Sequence, residues 1–225
     1  MDRKRRMKPT DLYLFGYNAV QVVGWGSVLV KTVSGLLAGH SFTSLYENVE
    51  WELQIFQTAA ILEIVHSLVG LVRSPVMTTV TQVFSRVFVL WAIMYKVPSS
   101  RASIGVPMLL IAWSVTEVIR YSYYALNIVK AVPYVLTWAR YTFFIALYPL
   151  GASGEVITML AALDEIKRKK HLTLELPNQA NIGFSFYYVV IILALYYLPG
   201  FPQMYFYMFG QRKKVLGTGS QKKQE

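Results

Sequence analysis

Two residues in the second half of the chain, Tyr148 and Glu155, have the types and spacing of a reaction site. They are seven residues apart, so a helix would place the phenol and the carboxyl on one face, about 10.5 Å apart along its axis. Pro149 removes the N–H that the carbonyl of Ile145 would accept, and we expect a kink beside Tyr148. Gly151 would let a ligand or another helix approach the backbone closely. The segment is therefore a candidate reaction cavity, and the alternative is a packing kink with Glu155 paired to an arginine.

Further ionisable side chains lie in apolar stretches, where the cost of a charge in lipid makes each one a functional candidate. The carboxylates of residues 63, 117 and 155 and the guanidiniums of residues 86, 120 and 140 would make a formally neutral interior. For the 117/120 pair, a purely structural ion pair is the alternative interpretation. Three pairs have i,i+3 or i,i+4 spacing and share a helical face: Glu63/His66, Glu117/Arg120 and Gln82/Arg86.

The elements that must position these groups are membrane helices. Of 225 residues, 55% are hydrophobic and 15% charged, with a mean hydropathy of +0.40, which excludes a disordered chain and an ordinary soluble domain. The absence of Cys excludes a disulfide-stapled domain, thiolate metal sites and a cysteine nucleophile. We predict an all-α integral membrane protein, a single domain (residues 1–225) with six transmembrane helices. The predicted spans are residues 12–37, 53–72, 77–97, 104–129, 134–163 and 182–201.

The positive charges indicate the orientation of this bundle. Of 22 Lys and Arg residues, five lie between Arg3 and Lys8 and five between Arg212 and Lys223. Basic ends beside apolar spans indicate cytosolic membrane anchors and not a nucleic-acid surface. Both tails, 1–11 and 210–225, are therefore predicted to be cytosolic. The basic cluster at 167–170 would lie on the opposite side, and it is the strongest argument against a count of six.

The extreme carboxyl end carries a short targeting pattern. Lys222 and Lys223 match the dilysine retrieval signal of endoplasmic reticulum membrane proteins, which is read from the cytosol. We therefore predict a multi-pass protein of that membrane. A solvated basic tail is the alternative.

Several segments resemble a known enzyme family. LYPLGASGE at 147–155 looks like the active-site span of the very-long-chain (3R)-3-hydroxyacyl-CoA dehydratases, also called the protein-tyrosine-phosphatase-like A family. The resemblance covers nearly the whole chain. It continues in LEIVHSLVGLVRSP at 62–75, in Gln82 with Ser85 and Arg86, around Trp113 and Glu117, around Trp138 and Arg140, and in PQMY at 202–205.

This resemblance implies a six-span enzyme of the endoplasmic reticulum that performs the third step of fatty-acid elongation. It would remove water from a long-chain 3-hydroxyacyl-CoA to give trans-2-enoyl-CoA, without a cofactor or metal. The implied partners are the condensing enzyme, the ketoacyl-CoA reductase and the enoyl-CoA reductase. The family's catalytic pair falls on Tyr148 and Glu155. The positions implied to support it are Arg140, Gly151, Glu63, Gln82, Arg86, Glu117 and Arg120.

Dehydration needs one base and one acid near adjacent carbons. We expect Glu155 to transfer the proton at the substrate carbons and Tyr148 to donate a hydrogen bond to the hydroxyl or thioester oxygen; the reverse division stays open. Measured from residue 134, Glu155 would lie about 31 Å into its helix, near the far boundary. Arg73 and Lys130 are candidates for contact with the CoA phosphates, although they are equally explained as membrane anchors. A small transporter and a catalytically silent scaffold of the elongation complex are the alternative functions.

Overall fold

Helices form nearly all of the regular structure in the computed structural model, which describes residues 7–72, 74–174 and 183–221. A π-helix, Val89–Tyr95, continues α4, and a short 3₁₀ helix, Pro98–Ala102, precedes α5. The described residues contain no β-strand, so the all-α prediction is confirmed over them. The helices are α1 (Pro9–Leu37), α2 (Phe42–Ala59), α3 (Ile61–Leu68), α4 (Val76–Phe88), α5 (Gly105–Ile128), α6 (Tyr134–Arg140), α7 (Phe144–Lys169) and α8 (Phe186–Gln221).

Four described segments are long and apolar enough to cross a membrane. They are α1, α4 with its π-helical continuation (Val76–Tyr95), α7, and α8 over Phe186–Gly217. The 36 residues of α8 would extend about 54 Å, which exceeds a hydrocarbon core of about 30 Å. One end of α8 must therefore project beyond the core when the helix crosses it.

The central helix of the bundle is α5, which packs between α1 and α7. Two glycines bring α5 and α7 together, because a Cβ on Gly105 would lie 2.5 Å from the carbonyl oxygen of Gly154. A Cβ on Gly154 would lie 2.8 Å from the carbonyl oxygen of Gly105. Side chains at these positions would push the backbones apart. The close crossing fixes the distance between the groups that α5 and α7 carry.

The predicted second span is wrong in its bounds. The helix begins at Phe42, after Ser41 caps it by accepting a hydrogen bond from the N–H of Ser44 at 3.2 Å. It is interrupted at Ala60, and α3 then ends before Gly70, which has a φ of +73°. Hydropathy does not detect such a helix start, because the first turns of α2 are polar.

The predicted fifth span is two helices, not one. α6 ends at Arg140 and α7 begins at Phe144, with a turn at 141–143 between them. The backbone N–H groups of Thr142 and Phe143 both donate to the carbonyl of Ala139, at 3.2 and 2.9 Å. Because this turn satisfies its own backbone groups, an apolar sequence can change direction here without a polar break.

The remaining predicted spans agree in position more closely. α1, α4 with its π-helix, and α5 match the predictions within a few residues at each end. The predicted sixth span began at residue 182, which lies outside the described residues. The helix continues past the predicted end at 201, through Pro202, to Gln221.

Candidate active site

The helix that carries the predicted pair, α7, runs without interruption through Pro149. The proline leaves the carbonyl of Ile145 without its helical partner, as predicted. The Tyr205 hydroxyl of α8 donates a hydrogen bond to that carbonyl at 3.0 Å. Proline therefore creates an acceptor that joins α7 to α8 at the level of Tyr148.

The new start of α7 changes the predicted depth of the site. Glu155 lies 11 residues after Phe144, which is about 16 Å along the axis and near the middle of the 26-residue helix. The estimate of about 31 Å, which assumed an unbroken helix from residue 134, is wrong. Tyr148 lies one turn into α7, close to the end at which this helix begins.

The Glu155 carboxyl is buried, with 7% of the residue exposed, and two neutral groups hold it. Trp113 Nε1 of α5 donates to Oε1 at 2.7 Å, and the Tyr197 hydroxyl of α8 donates to Oε2. No arginine forms an ion pair with Glu155 among the described residues, so the alternative of a Glu155–arginine pair is wrong. Gly151 permits this approach of α5, because a Cβ there would lie 3.2 Å from the Cβ of Ala112.

The Tyr148 ring is half-buried against α8. It stacks on Phe201, with ring centroids 5.0 Å apart and planes 18° apart, and lies nearly parallel to Tyr205 at 6.1 Å. Its hydroxyl makes no hydrogen bond to any residue that the structure describes. Stacking therefore fixes the ring and leaves the phenol O–H available to a ligand.

A separate cluster contains four of the predicted supporting residues: Glu63, Glu117, Arg86 and Arg120. The Arg120 guanidinium donates to both carboxylate oxygens of Glu63, at 2.6 and 2.9 Å, and through Nε to Glu117 at 2.7 Å. Arg86 Nη1 donates to the other oxygen of Glu117. Two carboxylates thus meet two guanidiniums across α3, α4 and α5, and we call this group the ion-pair cluster.

The ion-pair cluster contacts the candidate active site through the indole ring of Trp113. The Arg86 guanidinium lies over Trp113, with its Cζ 5.8 Å from the ring centroid, and Trp113 is the donor to Glu155. On the other side, the Tyr121 hydroxyl donates to Glu63. The cluster therefore packs against the indole that orients the carboxyl.

The other predicted site residues lie apart from this centre. Gln82 and Lys130 are exposed, and Lys130 has a φ of +56° in the loop after α5. Arg140 forms no ion pair with any carboxylate that the structure describes; its guanidinium lies among tyrosine rings. Of the three carboxylates and three guanidiniums that make the predicted neutral set, two of each pair directly, and Glu155 and Arg140 form no ion pair with a described residue. Arg73, Lys222 and Lys223 lie outside the described residues.

Sequence reasoning did not identify the two donors to Glu155 as site residues. Trp113 belongs to a segment that carried the family resemblance, so its position was a usable signal. Tyr197 is one of 16 tyrosines and lies 42 residues from Glu155, and nothing in its spacing distinguishes it. Within the described ranges, no group of three or more His, Asp or Glu residues is arranged to hold a metal.

The structure thus places a buried carboxyl and a phenol without a described hydrogen-bond partner on one apolar helix of a helical bundle, which is the arrangement of a membrane protein. The family model described as "Protein tyrosine phosphatase-like protein, PTPLA" matches residues 57–218. The chain belongs to this family, and the resemblance drawn from its sequence is confirmed.

Named relatives make the comparison more specific. The chain is 61% identical over 213 residues to very-long-chain (3R)-3-hydroxyacyl-CoA dehydratase hpo-8 of Caenorhabditis elegans, covering 94% of this chain and 98% of the relative. It is 44% identical to very-long-chain (3R)-3-hydroxyacyl-CoA dehydratase 2 of Homo sapiens, over 91% of this chain and 80% of the relative. It is 42% identical to the dehydratase PASTICCINO 2 of Arabidopsis thaliana, over 91% and 93%. No solved structure matches the chain.

Proposed function

We propose that this chain removes water from a long-chain (3R)-3-hydroxyacyl-CoA to give trans-2-enoyl-CoA, the third step of fatty-acid elongation. The observation that carries the proposal is the pair on α7: a buried Glu155 carboxyl held by neutral donors, and a Tyr148 phenol whose O–H has no partner among the described residues. The names of the relatives, all 3-hydroxyacyl-CoA dehydratases, support the same reaction.

Glu155 and Tyr148 each carry out one of the two proton transfers that the elimination requires. The Glu155 carboxylate takes the proton from C2 of the acyl chain, and the electron pair of the C2–H bond forms the C2=C3 double bond. The C3–O bond breaks, and the departing hydroxyl takes the Tyr148 proton to leave as water. Because the two groups lie two helical turns apart, the proton on Glu155 then returns to the Tyr148 phenolate through a relay of water. The balance is complete with one base and one acid and calls for no cofactor.

The partners of Glu155 suit it to this role. Trp113 and Tyr197 each hold one oxygen, so the carboxylate is fixed in orientation while each oxygen keeps a second lone pair for a proton. Neither donor is charged, and in the ion-pair cluster the guanidiniums of Arg86 and Arg120 both donate to Glu117. The site thus positions a base without an ion pair that would have to break in each turnover.

We propose the same membrane setting that the charge pattern predicted: six spans with both termini cytosolic, in the endoplasmic reticulum. α2 with α3, and α5, would be the two spans beyond the four apolar segments. In this arrangement α7 begins at the cytosolic side, so Tyr148 lies nearer the cytosol than Glu155. A CoA thioester arriving from the cytosol would then reach Tyr148 first, and Arg73 and Lys130 remain candidates for contact with its phosphates.

Partners and localisation belong to the same proposal. The elongation cycle supplies the substrate from a ketoacyl-CoA reductase and passes the product to an enoyl-CoA reductase, so we propose both, with the condensing enzyme, as neighbours in the membrane. Lys222 and Lys223 would retain the chain there. Replacing both lysines with serine and imaging the tagged chain in cells tests the retrieval signal.

The experiment that tests the function is turnover by the purified protein in detergent. We expect conversion of a long-chain (3R)-3-hydroxyacyl-CoA to its trans-2-enoyl product, followed by mass spectrometry, and little conversion of the (3S) epimer. Absence of product from folded protein, across several chain lengths and detergents, would overturn the dehydratase proposal and favour a scaffold role.

A further inference from the structure

Arg140, at the end of α6, is a cation that the described residues do not neutralise. The other two arginines of the apolar stretches, Arg86 and Arg120, contact carboxylates in the ion-pair cluster. Arg140 instead lies over Tyr123 and Tyr124, with its Cζ 4.4 and 4.6 Å from the ring centroids. Rings hold a guanidinium through their faces but leave its in-plane N–H groups unpaired.

Two polar atoms in this part of the chain are buried without a hydrogen-bond partner. One is Nη1 of Arg140, whose Nη2 donates to the Tyr124 hydroxyl at 3.2 Å. The other is the hydroxyl Oγ1 of Thr142, two residues further along, in the turn between α6 and α7. Buried polar groups in native proteins are nearly always paired, so two unpaired groups only two residues apart in the chain make this turn a candidate place for a ligand that supplies the acceptor.

The two unpaired atoms, Arg140 Nη1 and Thr142 Oγ1, are suited to bind an anion. A guanidinium N–H edge and a hydroxyl are both hydrogen-bond donors, and Arg fits the tetrahedral oxygens of a phosphate in bidentate fashion. We propose that the turn at 141–143, with Arg140 and Thr142, binds a phosphate group of the CoA portion of the substrate. This site deepens the proposed function and rests on it.

The place of the turn in the fold fits this ligand. The turn adjoins the end of α7 that carries Tyr148, and Glu155 lies about 16 Å further along the helix axis. In an acyl-CoA the pantetheine arm separates the thioester from the phosphates. A thioester held between Tyr148 and Glu155 can thus direct its arm toward the start of α7 and its phosphates toward Arg140.

The test compares two substrates that differ by the 3′-phospho-ADP portion of CoA, which carries all of its phosphates: the 3-hydroxyacyl-CoA and the 3-hydroxyacyl-pantetheine thioester; the 3-hydroxyacyl-4′-phosphopantetheine, which keeps one phosphate and lacks the adenosine, separates the phosphate from the nucleoside. Arg140→Gln should raise KM for the CoA substrate by about 10- to 100-fold, because a hydrogen-bonded charge is lost. Thr142→Val, which keeps the shape of the side chain, should raise it by about 5- to 10-fold. Neither variant should raise KM for the pantetheine thioester, and kcat should change by less than about twofold.

Two controls separate phosphate binding from other roles. Lys96→Gln removes an exposed charge at the opposite end of α5 and should leave both KM values unchanged. A phospholipid headgroup is a second possible source of the bound phosphate. The assays are therefore run with and without anionic phospholipid in the detergent micelle. An equal loss with both substrates would overturn the proposal, as would an Arg140 effect that depends on the lipid and not on the CoA phosphates.

Binding measured without turnover keeps this proposal distinct from the proposed reaction. Titration calorimetry with free CoA should give binding to the wild type and a Kd raised by the same 10- to 100-fold in Arg140→Gln. CoA binding that depends on Arg140, in a protein that forms no enoyl product, would uphold the phosphate site and defeat the dehydratase proposal. CoA binding equal in the two proteins would defeat the phosphate site.

Discussion

The candidate active site and the ion-pair cluster use the same residue types in opposite ways. In the ion-pair cluster, Glu117 is 2% exposed and meets two guanidiniums, so its charge is fully compensated. At the candidate active site, Glu155 is also buried but accepts hydrogen bonds only from an indole N–H and a phenol O–H. A carboxylate bonded to two arginines stabilises a fold; one held by neutral donors is free to exchange a proton. The hydrogen-bond partners of each carboxylate, and not its burial, therefore distinguish the proposed base Glu155 from the structural Glu117.

The largest expected effect is on the base. Glu155→Gln keeps the size of the side chain and removes its ability to take the C2 proton, so we expect kcat to fall by about 10³- to 10⁴-fold. Single-turnover conversion followed by mass spectrometry measures the loss. Glu47→Gln, an exposed residue on α2, removes the same charge and should leave kcat unchanged. Retention of even a tenth of wild-type kcat would remove Glu155 from the reaction.

The next effect is on stability, in the ion-pair cluster. Glu117→Gln leaves Arg86 and Arg120 without their shared carboxylate, and we expect the free energy of unfolding to fall by about 3 kcal/mol. Thermal unfolding in detergent should show a clearly lower midpoint than for wild type. Glu47→Gln serves again as the charge-matched control. A midpoint equal to that of the control would mean that the pairs do not hold α4 and α5 together.

Removal of the acid should have a smaller effect on turnover than removal of the base. Tyr148→Phe deletes a hydroxyl that bonds no described residue, so we expect a loss of about 10²-fold in kcat with an unchanged unfolding midpoint. Tyr188→Phe, an exposed tyrosine of α8, is the matched control and should behave as wild type. If Tyr148→Phe lowered stability without lowering kcat, the phenol would be a packing group.

The smallest expected effect concerns the α7–α8 contact beside Tyr148. Tyr205→Phe leaves the Ile145 carbonyl without a hydrogen-bond donor and should cost about 1 kcal/mol of unfolding free energy. In a Pro149→Ala background the restored N–H can bond that carbonyl, so the cost of Tyr205→Phe should shrink. Equal costs in the two backgrounds would show that the proline and the tyrosine are not coupled.

Local spacing allowed part of the site to be predicted. Tyr148 and Glu155 share α7, the 117/120 pair forms within one helix, and the carbonyl freed by Pro149 follows from covalent geometry. These features depend only on residues within two turns of one another. The relatives named as dehydratases agree with the activity that the sequence resemblance implied.

Contacts between distant segments could not be predicted. Tyr197 and Tyr205 reach α7 across 42 and 60 residues, and no periodicity indicates which of many tyrosines face it. The turn at 141–143 was missed because it contains neither Gly nor Pro and its backbone bonds are internal. With that turn, Arg140 leaves the axis of α7 and lies among tyrosine rings, a position that no local spacing indicates.

The most direct test measures turnover and thermal unfolding on the same preparations of wild type, Glu155→Gln and Glu117→Gln. We expect Glu155→Gln to keep an unfolding midpoint within a few degrees of wild type and to lose its turnover. Glu117→Gln should have a lowered midpoint and, well below it, keep turnover within about tenfold of wild type. Two results would contradict this division of roles. One is a Glu117→Gln protein that is folded but has no turnover. The other is a Glu155→Gln protein that has a clearly lowered unfolding midpoint and, below that midpoint, keeps its turnover.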